Sequence, residues 1–251
     1  MIADPLFYAL AVPAILLTGI SKGGFGTGIG MMAVPLMALA IPVPQAAAVM
    51  LPILCVMDLV GLWTYWGRWD KAVMSAMLPG AVLGIAVGGL TFSLLDEHVL
   101  RLMIGLMAAA FVLNYWFGRR PHAPAPPGRA KGLLWGSLSG YTSFMTHAGG
   151  PPFNIYVLPL GLDKTALVAT AVIFFAAVNA TKLLPYWFLG QLNTGNLETA
   201  LALSPLAPIG ILAGTWMLRR VNDRLFLRVC YVFLLLSGLK LSWDGAIWLV
   251  G

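Results

Sequence analysis

Ten apolar runs, separated by turn residues and charges, occupy most of this chain. A helix that crosses a bilayer needs about 20 mainly apolar residues, and the composition suits such helices. Of the 251 residues, 60% are hydrophobic and 10% are charged, whereas soluble domains carry about 25% charged residues. The sequence therefore predicts an all-α polytopic membrane protein and excludes a soluble domain. The runs lie at roughly 5–20, 28–41, 45–66, 73–92, 97–117, 133–146, 151–161, 165–189, 197–218 and 224–249.

The remaining composition argues against nucleic acid, metal or cofactor binding. The net charge is +6, but the cations are gathered between apolar runs, where they orient a membrane protein rather than bind nucleic acid. Cys55 and Cys230 lie inside apolar runs, so they indicate neither a disulfide framework nor a metal site. The chain has no G-x-x-x-x-G-K-[ST] motif for a nucleotide. We expect no metal and no cofactor.

The two halves of the chain resemble each other in the order and length of their runs. Between them lies a basic, Pro-rich stretch at residues 118–131. Matching residues at constant shifts predict a first transmembrane repeat at 1–117, a linker at 118–131 and a second repeat at 132–251. A shift of 121 aligns Gly19 with Gly140, Gly28 with Gly149 and Asp58 with Asn179, and a shift of 126 aligns Pro79, Gly84 and Gly88 with Pro205, Gly210 and Gly214.

The positive charges predict how the repeats are oriented. We count five passages per repeat, with the first two runs taken as a pair that either spans or forms a re-entrant hairpin. Eleven of the 15 Lys and Arg residues then fall on one side, which the positive-inside rule assigns to the cytoplasm. The two five-segment repeats are therefore predicted to be inverted, with a cytoplasmic linker and both termini external. The eleven are Arg68, Lys71, Arg119, Arg120, Arg129, Lys131, Lys164, Arg219, Arg220, Arg224 and Arg228.

A glycine-rich turn interrupts a short pair of runs at the start of each repeat. The turns are SKGGFGTGIG at residues 21–30 and SFMTHAGGPP at 143–152. In inverted-repeat transporters, such interruptions at matching positions indicate a substrate site near the bilayer midplane. Two helix N-termini would converge there and offer backbone N–H groups to an anion. Close helix packing is the alternative for such glycines, and it is the preferred interpretation for mid-helix Gly80, Gly84, Gly88, Gly210 and Gly214.

Asp58 and Lys182 are ionisable residues deep inside apolar runs, where an uncompensated charge is costly. Asn179 is the repeat mate of Asp58, and Lys182 follows it by three residues on the same helix face. Asp58 is a proton-coupling candidate, although Lys182 could instead snorkel or pair structurally with Asp58. His147 could likewise be an ordinary buried histidine. The predicted substrate-binding residues are Ser21, Lys22, Gly26, Thr27, Gly28, Thr146, His147, Gly149, Gly150, Asn179 and Lys182, with the Ser143 hydroxyl as an addition.

Residues 21–37 and 139–171, repeated in register in a chain of this length, resemble the sulfite exporter TauE/SafE family. The resemblance implies a secondary transporter, not an enzyme, that exports sulfite or a related organosulfonate across the bacterial inner membrane. Its expected partners are a small sulfite-like anion and the lipid bilayer, with a homo-oligomer left open and no nucleic acid. An anion channel is the alternative function. An intramembrane hydrolase is disfavoured because GSLSG at 136–140 does not match G-x-S-x-G.

Overall fold

The computed structural model of the chain describes residues 1–25, 30–117, 128–217 and 223–250, and all regular structure within these ranges is helical. Short π-helical or 3₁₀ turns at Ser21–Phe25, Gly30–Met32, Phe92–Leu94 and Leu158–Leu160 adjoin some of the helices. The helices are α1 (Pro5–Ile20), α2 (Ala33–Met37), α3 (Val43–Tyr65), α4 (Lys71–Thr91), α5 (Glu97–Phe117), α6 (Arg129–Thr146), α7 (Gly150–Val157), α8 (Lys164–Phe188), α9 (Thr194–Leu203), α10 (Leu206–Met217) and α11 (Asp223–Val250).

The helices confirm the all-α membrane class and follow the predicted apolar runs. Within the described residues, five helical segments are long and apolar enough to cross a bilayer, and α9 with α10 makes a sixth if that bent pair is one span. The run at 197–218 is broken because Pro205 has no N–H group and its ring obstructs a continuous helix. α9 and α10 meet there at an angle of 40°. Pro79 in α4 leaves its helix continuous.

The second helix of each initial pair is too short to cross a membrane. α2 has five residues and α7 has eight. At 1.5 Å per residue, α7 is about 12 Å long, against a hydrocarbon core of about 30 Å. Neither α2 nor α7 could cross the hydrocarbon core alone, as a re-entrant hairpin would require.

Helix ends collect at two opposite ends of the bundle. At the first, which we call the terminus side, the starts of α1, α3, α5 and α9 meet the end of α11. Because α1 and α3 both start there, the chain returns to this side through α2. Three contacts define the terminus side: the Met1 ammonium with Glu198 at 3.0 Å, Gln45 Nε2 donating to Asn196 Oδ1 at 3.2 Å, and the stacked rings of His98 and Trp248 with centroids 4.5 Å apart.

The opposite end, which we call the linker side, holds the starts of α4, α6 and α8. Asp70 N–H, just before α4, donates to Thr170 Oγ1 near the start of α8 at 2.8 Å. The Tyr156 hydroxyl, near the end of α7, donates to the Gly128 carbonyl just before α6 at 3.4 Å. The chain therefore enters α6 from the linker side and returns to it through α7.

The predicted packing glycines do bring helices together. α4 packs along α6, and a side chain at Gly84 would collide with the Ser137 carbonyl. α1 packs along α10, where a Cβ on Gly19 would lie 2.9 Å from the Gly210 Cα. Backbones approach this closely only where no side chain intervenes. An added Cβ would likewise collide with Leu133 at Gly80, with the Phe144 side chain at Gly88 and with Ile20 at Gly214.

We expect Gly84→Ala to destabilise the protein by about 1–3 kcal/mol, because the added methyl group forces the backbones of α4 and α6 apart. Gly89→Ala is the matched control on the same helix, since its nearest neighbours are at ordinary contact distances of 3.5 and 3.8 Å. Thermal unfolding of both variants in detergent checks this. Equal unfolding midpoints for the two variants would contradict the packing role of Gly84.

Candidate functional site

Asp58 and Asn179, which the sequence predicted to be repeat mates, contact each other where α3 packs against α8. Asn179 Nδ2 donates to Asp58 Oδ2 at 2.6 Å. The other carboxylate oxygen accepts from Lys22 Nζ at 2.5 Å. Lys22 lies in the π-helical turn that follows α1. The Asp58 side chain is only 6% exposed, so its negative charge is compensated by a lysine and an amide from two other segments.

Lys182 is fully buried and lies one turn beyond Asn179 on α8. Its Nζ contacts the Ser143 carbonyl and hydroxyl, both at 3.0 Å, and His147 Nδ1 at 2.7 Å. The two structural alternatives for Lys182 are therefore wrong. It does not snorkel to an interface, and Asp58 pairs with Lys22 instead.

His147 ends α6 in a left-handed conformation, with φ of 56°, and is the only non-glycine residue with positive φ in the described part of the chain. Its Nε2 lies 2.9 Å from the Ala47 carbonyl oxygen, which can only accept. Nε2 therefore carries the proton, and Nδ1 accepts a hydrogen bond from Lys182. These two bonds fix the ring at a position where glycine is the common residue.

A cavity of about 70 Å³ lies beside Lys22, Asn179 and His147. One water needs only about 10–15 Å³ of such space, so the cavity can hold a small ion. Five predicted residues line it, and Ser143 does so as well. Its other walls are apolar and come mainly from α8 between Val168 and Phe175. The polar lining consists of Ser21, Lys22, Ser143, His147, Gly150 and Asn179.

Other predicted residues do not line this cavity. The Thr146 hydroxyl donates to the Thr142 carbonyl within α6 at 3.3 Å. Gly149 has a packing role, because a Cβ there would lie 2.7 Å from the Ser139 carbonyl oxygen. Lys182 lies behind the cavity wall and contacts Ser143 and His147, which line the cavity. Gly26, Thr27 and Gly28 lie outside the described residues.

The N-terminus of α7 offers fewer backbone donors than the sequence suggested. Pro151 and Pro152 suit the first turn, but neither has an N–H group. The Phe153 N–H donates to the Gly149 carbonyl at 3.3 Å. Gly150 is therefore the residue of the first three in α7 that can offer an amide to a ligand. Among the described residues that line the cavity, Lys22 is the side chain that carries a positive charge.

A second cavity, of about 40 Å³, lies beyond the Lys22–Asp58 ion pair. Its lining includes both members of the pair and extends to Thr64 and Tyr65, at the linker-side end of α3. Lys22 lines both cavities, so the ion pair lies between them. The sequence predicted Lys22 as a substrate-binding residue of the first turn but did not identify Asp58 as its partner. The sequence feature that pointed to Lys22 is that it is the one charged residue in the glycine-rich turn at residues 21–30.

Aromatic side chains pack between the site and the terminus side. The Tyr186 hydroxyl donates to the Phe144 carbonyl at 2.6 Å, and the two rings are 5.0 Å apart. Phe92 packs edge-on against Phe144 at 5.8 Å. Tyr186 lies one turn beyond Lys182 toward the terminus-side end of α8. The cluster adjoins the site through Tyr186, whose ring centroid lies 6.4 Å from that of His147.

We expect His147→Gly to be more stable than His147→Ala by about 1–2 kcal/mol, because glycine adopts positive φ without the clash that a Cβ causes. Both variants lose the same bonds to Lys182 and Ala47, so the comparison isolates the backbone. Denaturant unfolding of the two purified variants measures the difference. Equal stability would show that the left-handed conformation at this residue is not retained.

Comparison with known proteins gives one match. The family model described as sulfite exporter TauE/SafE matches residues 11–241. No curated protein matches the chain, and no solved structure does.

Proposed function

The chain belongs to the sulfite exporter TauE/SafE family, and on that premise we propose that it is a secondary transporter that exports sulfite or a related organosulfonate across the bacterial inner membrane. The family is one of membrane transporters for sulfite or related anions. The observation that carries the proposal for this chain is the cavity lined by Lys22, between helices that are long and apolar enough to cross a membrane.

The chemistry of the cavity supports an anionic substrate. An ion that leaves water for the membrane interior needs charge compensation and hydrogen bonds. Lys22 supplies a positive charge, and its ammonium forms strong hydrogen bonds to anionic oxygens. Ser21, Ser143 and Asn179 add polar groups around it. The apolar wall from α8 excludes water, which strengthens these interactions.

The closure of the site supports a transporter over a channel. The aromatic cluster of Phe92, Phe144 and Tyr186 lies on the terminus side, and the Lys22–Asp58 pair lies between the two cavities on the way to the linker side. In this proposal a substrate leaves the first cavity when one of these groups moves aside. Such a site is suited to alternating access around a fixed binding position.

Helix packing supports the proposed inverted repeats, 1–117 and 132–251. The first helix of each half packs against the fourth segment of the other, as α1 with α10 and α6 with α4. The third helices, α3 and α8, pack together, as do the fifth, α5 and α11. α1 starts on the terminus side and α6 on the linker side. In this proposal the linker at 118–131 is cytoplasmic and both termini are external.

We expect proteoliposomes with the wild-type chain to release sulfite at a rate that saturates with concentration. Lys22→Gln should reduce this rate at least about tenfold, because the loss of one charge-assisted hydrogen bond costs about 1.5–3 kcal/mol. Lys240→Gln is the matched control, since Lys240 forms an exposed ion pair with Asp244 on α11. A rate that rises linearly with concentration would favour a channel. An unchanged rate in Lys22→Gln would refute this site.

The proposed orientation has its own test. Single cysteines at Ala3 and Ala125 are introduced into a chain that lacks Cys55 and Cys230, and intact cells are treated with a membrane-impermeant maleimide. We expect labelling at Ala3, and at Ala125 only after permeabilisation, because the basic linker should remain inside. Ala125 lies outside the described residues. The reverse labelling pattern would overturn the orientation.

A further inference from the structure

The Lys22–Asp58 pair also limits the charge of the ligand. We propose that the site selects a monovalent sulfur oxyanion, a sulfonate or hydrogen sulfite, over a dianion, and that Asp58 sets this limit by holding the Lys22 ammonium. The inference rests on the proposed function, because it assigns the ligand class of the same cavity.

Charge balance is the first argument. Lys22 and Asp58 are the charged side chains among the described residues that line the two cavities, and Lys182 is the cation behind the wall. His147 in its Nε2–H form is uncharged. The two lysines supply at most two positive charges, and Asp58 offsets one of them. At most one positive charge is left for a ligand, so a buried dianion would leave negative charge uncompensated, at high cost.

Mobility of the two partners is the second argument. Asp58 is 6% exposed and is held by Asn179, whereas Lys22 is 22% exposed and lines both cavities. The ammonium of a lysine sits on a flexible four-carbon stem with three donors. Lys22 can therefore turn toward an oxyanion in the first cavity, while Asp58 stays with Asn179. The ligand and Asp58 compete for one ammonium.

The competition for the Lys22 ammonium and the charge of the ligand together predict the effect of removing the Asp58 carboxylate. Asp58→Asn keeps the shape of the side chain, frees Lys22 and adds one unit of net positive charge. The interaction of a ligand with that added charge scales with the charge of the ligand. A dianion should therefore gain more than a monoanion. Asp58 acts here as a specificity-determining residue that need not touch the ligand.

The experiment measures binding of methanesulfonate and sulfate to the purified full-length chain by isothermal titration calorimetry. The wild type should bind methanesulfonate at least about tenfold more tightly than sulfate. In Asp58→Asn the sulfate affinity should rise about tenfold or more, the size of one charge-assisted hydrogen bond, and more than the methanesulfonate affinity. Asp244→Asn, which breaks the exposed Lys240–Asp244 pair, is the matched control and should change neither affinity.

Lys22→Gln gives an independent measurement should Asp58→Asn not fold. It removes one positive charge, so both affinities should fall and the sulfate affinity should fall further. In the double variant Lys22→Gln with Asp58→Asn, the sulfate gain caused by Asp58→Asn should shrink, because no ammonium remains to compete for. If Asp58→Asn raised the sulfate affinity as much in the Lys22→Gln background as in the wild type, competition between the ligand and Asp58 for Lys22 would be refuted.

The outcomes separate the two proposals. A wild type that binds methanesulfonate, together with an unchanged sulfate-to-methanesulfonate ratio in Asp58→Asn, would overturn the charge limit and leave the anion site intact. A wild type that prefers sulfate would also overturn it. A wild type that binds neither anion and transports no sulfite would overturn the proposed function and this inference with it.

Discussion

The buried Asp58 carboxylate is the constraint on which the site depends. A charge inside a membrane protein must be compensated by neighbouring groups, because the bilayer supplies none. Asp58 on α3 is held by Lys22 from the turn after α1 and by Asn179 on α8. One side chain therefore ties the turn after α1 to the two long helices α3 and α8, and the same contacts define the boundary between the two cavities.

Close packing of the helices makes these contacts of Asp58 possible. The glycines along α4 and α10 let α6 and α1 approach at backbone distance. The turns that end α1 and α6 are thereby carried to the middle of the bundle, beside α3 and α8. His147 shows how closely the second turn is determined. It keeps a backbone conformation that a histidine seldom adopts, because Lys182 and Ala47 hold both of its ring nitrogens.

Much of the helical framework could be predicted from the sequence, since apolar runs and turn residues act locally. The sequence identified Asn179 as the repeat mate of Asp58 but did not predict the contact between them. The partners of Lys182 were not, because they depend on the left-handed turn at His147, and hydrophobic periodicity carries no signal for it. The number of backbone N–H donors at the start of α7 was overestimated. Pro151 and Pro152 favour the first turn of a helix, but neither has an N–H group.

In the inverted-repeat arrangement that we propose, the contact between Asp58 and Asn179 has a consequence for the ancestry of the fold. Equivalent residues of two halves related in this way touch each other only at the axis that relates them. In an ancestral pair of identical chains, the same residue would have met itself there, and two carboxylates at 2.6 Å would repel or share a proton. Under the same proposal, fusion of the duplicated genes would have freed the two positions to diverge. The combination of one acid and one amide is thus an asymmetry that a single chain can encode and a symmetric dimer cannot.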